Sequence, residues 1–416
     1  MNAEIAENLV VLKSASGYRA MTQFTHEVIE EADNAHTVLQ AAANMMADTG
    51  GQVLLSRGVF ALDKALLLGD NVELCGCGRG TKLICTSPSD EAVLNCRSTK
   101  GVVIRDLAVI GAKRPADGAV GTGVLLDGAG DCRIIDVFCA GFEQHGIWVR
   151  NSSFLCEIRG CSLAGNGVAN LFLDGLERGS YGDYIPNLVT NCTIYGGGKG
   201  IDCNRTIVLN IVACVVYQTN DVAYHVRNTS NSVLISGCRS FQITGNAVVA
   251  ENSHEFNLSS NIFCWATGHG VVIDDCFWGT ICGNEIIDVG SLNPGGDNFK
   301  FAAKNLGQHE PFRGIDLRHV RGYNISGNTI FNWSVCPPME YGIYEDNASY
   351  QNTITGNNVN YYTRSDIVSQ GYGSIVANNI GRAERPFNDE TNEPNVIQTF
   401  RQELTEALIA EQMALE

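Results

Sequence analysis

Basic residues are scarce in this chain: 28 Lys and Arg face 45 Asp and Glu in 416 residues, giving a formal net charge of −17 and a pI near 4.9. That balance argues against a nucleic-acid partner and against an anionic membrane surface. It also disfavours polyuronates unless a local basic patch offsets the repulsion, so a neutral sugar suits the surface better. Long apolar runs are missing too, and no stretch is long enough to span a bilayer. The opening MNAEIAENLVVLKS lacks the basic start, apolar core and small-residue cleavage site of a signal peptide. With sixteen cysteines and no such peptide, free inward-facing thiols in a reducing cytoplasm are expected rather than a disulfide framework. The eight histidines are scattered without compact ligand spacing, so neither a metal nor a cofactor is expected. Two-residue hairpin turns are scarce, which argues against a β-sandwich.

What the chain does have is a repeated phrase. LVTNCTIYGGGKGIDCN (188–204), IVACVVYQTNDVAYHVRN (211–228), LISGCRSFQITGNAVVAEN (234–252), NLSSNIFCWATGHGVVIDD (257–275) and TICGNEIID (280–288) each open on a short apolar strand followed by a fixed Cys or Asn. A second strand, a Gly- or Asn-containing corner and a third strand follow in the full phrases. The return interval, about 22 to 24 residues, is that of a stacked solenoid. The fixed positions Cys161, Cys192, Cys214, Cys238, Asn261, Asn284, Asn328, Asn357 and Asn378 then form one internal ladder, with successive residues about 4.8 Å apart. Stacked Asn amides can bond to one another and to backbone, and Cys serves as a small buried hydrophobe. The fold class is therefore all-β: a right-handed parallel β-helix with three strands per turn.

Residues 1–35 carry no clear pattern and are read as an N-terminal arm. HTVLQAAANMM (36–46) has helical spacing and precedes GGQVLLSRGVFALDKALLLGDNVELCGCGRG, an opening that resembles pectate-lyase-like β-helices in which an amphipathic helix caps the first coil. The helix and coil span 36–382. Residues 383–416 form a tail whose Val396, Phe400, Leu404, Leu408 and Met413 predict a C-terminal helix that caps the last coil or packs on another chain. Insertions at 174–186 and 289–313 are long for loops on a compact scaffold, which marks them as functional.

Aligned on their inward aliphatics, the third strands present two outward columns. One reads Leu125, Trp148, Phe172, Asp202, His225, Val248, Val272, Asp316 and Tyr344; the next reads Asp127, Arg150, Asp174, Asn204, Arg227, Ala250, Asp274, Arg318 and Asp346. Trp148 and Phe172 offer faces for stacking on sugar C–H surfaces, and the charged groups beside them can reach hydroxyls. Asp202 is the expected proton donor, His225 its tuning partner and Asp174 the second carboxyl. Lys199, Arg227 and Arg150 orient hydroxyls; equally, they can simply neutralise these acids in a surface network. A second cluster gathers His269 in Gly268-His269-Gly270 with Asp274, Asp275, Glu285, Asp316 and Arg318. It resembles the polygalacturonase arrangement except that here the acids follow the Gly-His-Gly.

From about 187 to 340 the chain resembles the inulin fructotransferases and difructose anhydride hydrolases. The shared traits are the rung phases, the insertion at 289–313, and GIDLRHVRGYNISGNTIFNWSVCPP (314–338) with its ladder Asn and terminal Pro337-Pro338 turn. The resemblance implies a homotrimer with active sites between subunits and an Asp and a Glu on one rung. By rung position the family's Glu falls on Asp202 and its Asp on Asn191, so one acid is shortened and the other is an amide. Together these features predict an enzyme that cleaves or rearranges a glycosidic bond of a neutral oligosaccharide, fructan-derived by the resemblance. The alternatives are a polysaccharide lyase or epimerase, and a non-catalytic glycan-binding spike or adhesin.

Overall fold

The computed structural model describes residues 8–85, 92–111, 121–175, 186–290, 312–332 and 339–382. Short β-branched strands separated by single left-handed residues make the coil. At the corner after each first strand, Asn191, Ala213, Gly237, Ser260, Gly283, Gly327, Gly356 and Asn378 all have φ between 54° and 66°. Gly and Asn recur there because they tolerate this conformation with little strain. The corner turns the chain into the second strand, and a further corner leads into the third. Each strand pairs in parallel with its equivalent one turn later.

The second strands form a thirteen-stranded parallel sheet, while the first and third strands, with the N-terminal strands, make up a 28-stranded one. The stacking is residue on residue. Ile134, Ile158, Val189, Ile211 and Ile235 follow one another up the first-strand ladder. Ile147, Leu171, Ile201 and Tyr224 do so on the third, and all are buried. Each such aliphatic side chain contributes roughly 1.5–3 kcal/mol by leaving water.

The expected internal ladder is present with one correction. Cys161, Cys192, Cys214 and Cys238 are buried free thiols. The amide Nδ2 of Asn261 donates to Asn284 Oδ1 at 2.9 Å, Asn284 to Asn328 at 2.9 Å, and Asn328 to Asn357 at 2.9 Å. The next acceptor is Asn379, at 3.0 Å, and not Asn378, which is the left-handed corner residue.

Residues 9–32, for which the sequence predicts no element, form an antiparallel meander of strands Leu9–Ser14, Gly17–Thr22 and Val28–Ala32. The first of these runs parallel to Gly51–Leu55, with Leu9 opposite Val53, and so extends the coil's edge. The capping helix spans Ala35–Thr49 and is longer than the 36–46 pattern suggests. Asn34 Oδ1 accepts from the Thr37 N–H at 3.1 Å, and Gly50, at φ 71°, donates to the Met46 carbonyl. Its buried face of Val38, Leu39, Ala42, Ala43 and Met46 covers the N-terminal end of the core. At the opposite end the last described coil leaves Ile375, Val376 and Ile380 exposed. The predicted C-terminal helix, the Pro337-Pro338 turn and most of both insertions lie outside the described residues.

Candidate functional site

The third strands are entered through a tight corner that fixes what they display. Gly146, Gly200, Gly270, Gly314 and Gly342 sit where an added Cβ would fall within 2.7 Å of a backbone oxygen of the following turn. The residue before each glycine therefore recurs as a further column, His145, Lys199, His269, Arg313 and Tyr341, three residues ahead of the first outward column. Contacts between the two confirm that they share a face: His145 lies against Trp148, Lys199 against Asp202, Arg313 against Asp316 and Tyr341 against Tyr344. Lys199 and His269 were among the expected site residues; His145 and Arg313 were not. The repeated X-Gly-(Ile/Val) step is the sequence signal that marks them.

Trp148, Phe172, Asp202 and His225 occupy successive rungs, as expected. The rings of Trp148 and Phe172 stack at 5.9 Å, and His145 packs on both. The Arg150 guanidinium lies 4.3 Å from the Trp148 ring centroid and donates to Asp127 at 3.0 Å. Burial pushes the His145 imidazole down to about 4, which keeps it neutral at neutral pH.

Asp202 is 2% exposed. Arg227 grips it from the next rung, Nε to Oδ1 at 2.9 Å and Nη2 to Oδ2 at 3.0 Å, while Lys199 Nζ and His225 Nδ1 each lie 3.4 Å from a carboxylate oxygen. Burial by itself would raise its pKa, but hydrogen bonds from His225 and Arg227 and the charge of Lys199 outweigh it and hold the group well below the usual carboxylate range. A carboxylate so clamped has no proton to give at neutral pH. The geometry thus speaks against Asp202 as the proton donor and makes it the anchor of Lys199, His225 and Arg227. Asp174 engages Asn204 and Arg205 through one oxygen, at 2.7 and 2.8 Å. Asn191 lies at an exposed first-strand corner, off this face, so position 191 does not join Asp202 in a pocket.

The next rung corrects the outward columns. His225 is opposite Val249, not Val248, and Val226 is opposite Ala250, which puts Arg227 opposite Glu251. Val248 and Ala250 point into the core. Glu251, absent from the expected site, is paired directly with Asp274, about 4.8 Å away between Cα atoms at parallel-strand spacing. Their side chains are 47% and 41% exposed. Each carboxylate meets a histidine: Glu251 Oε1 lies 2.9 Å from His225 Nε2, and Asp274 Oδ1 lies 3.5 Å from His319 Nδ1. His225 Nδ1 is 2.8 Å from Lys199 Nζ, so Lys199, His225 and Glu251 form a continuous chain of proton-carrying groups.

One rung beyond Asp274 stands Arg318, with Asp316 beside it. Asp316 is fully buried and held by Arg313 at 2.5 Å and by Arg318 at 2.6 and 2.8 Å, a second version of the Asp202 clamp. Arg313 also lies 3.8 Å above the Tyr344 ring. His269 Nδ1 accepts from the Arg313 backbone N–H at 3.1 Å, which leaves the proton on Nε2. Asp275 occupies a left-handed corner and Glu285 lies on a second strand, so neither joins this cluster. Among the described residues no group of His, Cys, Asp and Glu side chains could hold a metal ion. A surface hollow lined by Lys13, Ser14, Tyr18 and Asp33 belongs to the N-terminal strands, not to this face.

Residues 122–306 match the family described as the right handed beta helix region. Among solved structures, the chain is similar to the A-module of a mannuronan C-5 epimerase from Azotobacter vinelandii, with 18% identity over 85% of this chain and 96% of that one and a TM-score of 0.65. It is also similar to the Dettilon tailspike protein, with 13% identity over 82% of this chain and 64% of that one and a TM-score of 0.61. A tailspike protein of E. coli bacteriophage HK620, solved with a pentasaccharide, aligns at 12% identity over 86% of this chain and 64% of that one, with a TM-score of 0.53. No curated protein sequence matches. At these identities the likeness establishes the right-handed parallel β-helix.

Proposed function

We propose that this β-helix is a glycan-active enzyme that cleaves or rearranges a glycosidic bond of a neutral oligosaccharide on its third-strand face. The observation that carries this is the pairing of two half-exposed carboxylates, Glu251 and Asp274, on adjacent rungs. Glycosidic chemistry by the two-carboxylate route needs such groups about 5–5.5 Å apart for retention, or about 6.5–9.5 Å for inversion. Facing side chains on neighbouring strands suit the shorter spacing. Glu251 is the proton donor to the leaving oxygen, because the Lys199–His225 relay can return its proton. Asp274 is the nucleophile or the stabiliser of the oxocarbenium-like centre. Phe172 and Trp148 form the apolar platform that sugar rings approach. The similarity to a mannuronan epimerase and to a tailspike solved with a pentasaccharide supports a glycan ligand in general; mannuronan is itself a polyuronate, so the first of the two sides with the epimerase alternative rather than with a neutral chain.

The lyase or epimerase alternative also has a feature of the site in its favour, since Lys199 and His225 supply a potential base for abstracting a proton. Its uronate substrate would have to overcome a net charge of −17. A panel of neutral fructans and glucans beside uronates, assayed by product release, separates these readings. Turnover of neutral chains that falls by about 10²–10⁴-fold in Glu251→Gln supports the proposal. Turnover of uronates alone would transfer the site to elimination or epimerisation, and binding without turnover would leave a spike or adhesin. Asp202→Asn, by contrast, should act first on stability, costing about 3–5 kcal/mol by leaving Arg227 and Lys199 without their buried counter-charge.

A further inference from the structure

The acid pair lies within a longer array of repeated design. Along the outer column, Arg227, Glu251, Asp274 and Arg318 take four successive rungs, so two carboxylates are bracketed by two guanidiniums. Each guanidinium is pinned by a buried aspartate, Arg227 by Asp202 and Arg318 by Asp316. Beyond the pinned arginines the face continues both ways. Toward the N-terminus lies the Phe172–Trp148 platform, where His145, only 6% exposed, has its Nδ1 unpartnered and Trp148 its Nε1. Toward the C-terminus lies Tyr344, backed by Arg313.

We infer that the substrate extends on both sides of the acid pair and is cut at an internal bond, with Arg227 holding the sugar on one side and Arg318 the sugar on the other. This rests on the reading of Glu251 and Asp274 as the reacting pair. A side chain already fixed by a buried partner loses little freedom when it binds a hydroxyl, so a pinned arginine is a preorganised contact. There is one such contact on each flank, which an enzyme trimming a chain end would not need. From Phe172 to Tyr344 the face covers six rung steps, roughly 29 Å at strand spacing, room for several sugar units. Arg227 and Arg318 are positioning residues, and the bond-breaking proton remains with Glu251.

The test is a time course of product lengths from end-labelled fructo-oligosaccharide and gluco-oligosaccharide ladders, using the full chain. Mid-length products should appear first, with kcat/KM rising with chain length. Arg318→Gln should lower kcat/KM about tenfold or more and shift cleavage of the longer chains from their middle toward one end. Arg318→Lys should recover part of the loss, and the wild-type product pattern stands on its own if a variant fails to fold. Stepwise release of one or two units from a single end, at a rate independent of length, would overturn the inference and leave the acid pair intact as the catalytic reading. Undiminished cleavage by Glu251→Gln would instead remove that reading, and failure to turn over either ladder would remove the neutral-glycan assignment together with this inference.

Discussion

At the scale of single residues, two side chains each give a direct test of stability. Asn284 sits in the amide ladder, accepting from Asn261 and donating to Asn328 and to the Leu258 carbonyl. Asn284→Leu strands these buried partners and should cost about 3 kcal/mol, read as a lowered denaturation midpoint; an unchanged midpoint would contradict the ladder. His145 gives a pH signature. The unfolded chain takes up its proton near the ordinary 6.5 and the folded chain only near about 4, so protons favour the unfolded state between those values. Stability should therefore fall on acidification from about 6.5 toward 4, by on the order of 3 kcal/mol, and His145→Phe should flatten that part of the melting profile. The ladder was legible in the sequence because Cys and Asn recur at one phase. His145 was not, because its role depends on the glycine corner that turns it outward beside Trp148.

At the scale of elements, the rung period and the capping helix could be read from spacing alone. The phase of one third strand could not. In Gly245-Asn246-Ala247-Val248-Val249-Ala250-Glu251 four small apolar residues run together, so no alternation of apolar and polar side chains fixes which ones face inward. A slip of one residue exchanges the two faces of a strand, and here it hid Glu251 and left Asp274 without its partner. The same corner logic yields a prediction. Gly200→Ala would place a methyl 2.3 Å from the Ala223 carbonyl oxygen, within the coil's own backbone. It should destabilise the fold by more than 1 kcal/mol and disturb Lys199 and Asp202 on either side; a variant with wild-type melting would contradict the assigned turn geometry.

At the scale of the whole molecule, the solenoid lays a row of chemistry along one face while its two ends need cover. The helix Ala35–Thr49 meets that need at the N-terminal end. The family resemblance predicts a homotrimer, so light scattering at micromolar concentration should give about three times the 44.8 kDa chain mass. A monomer mass would remove any site shared between subunits while leaving the acid pair, which one chain supplies. The claim on which everything else depends is that a glycan lies along the third strands with its reacting bond at Glu251 and Asp274. The most direct measurement is a crystal structure of Glu251→Gln soaked with a neutral oligosaccharide that the wild type turns over. The account predicts a glycosidic oxygen within hydrogen-bond reach of the side chain at position 251, and sugar units on both flanks toward Arg227 and Arg318. Sugar bound on another face of the coil, with these residues untouched, would contradict it.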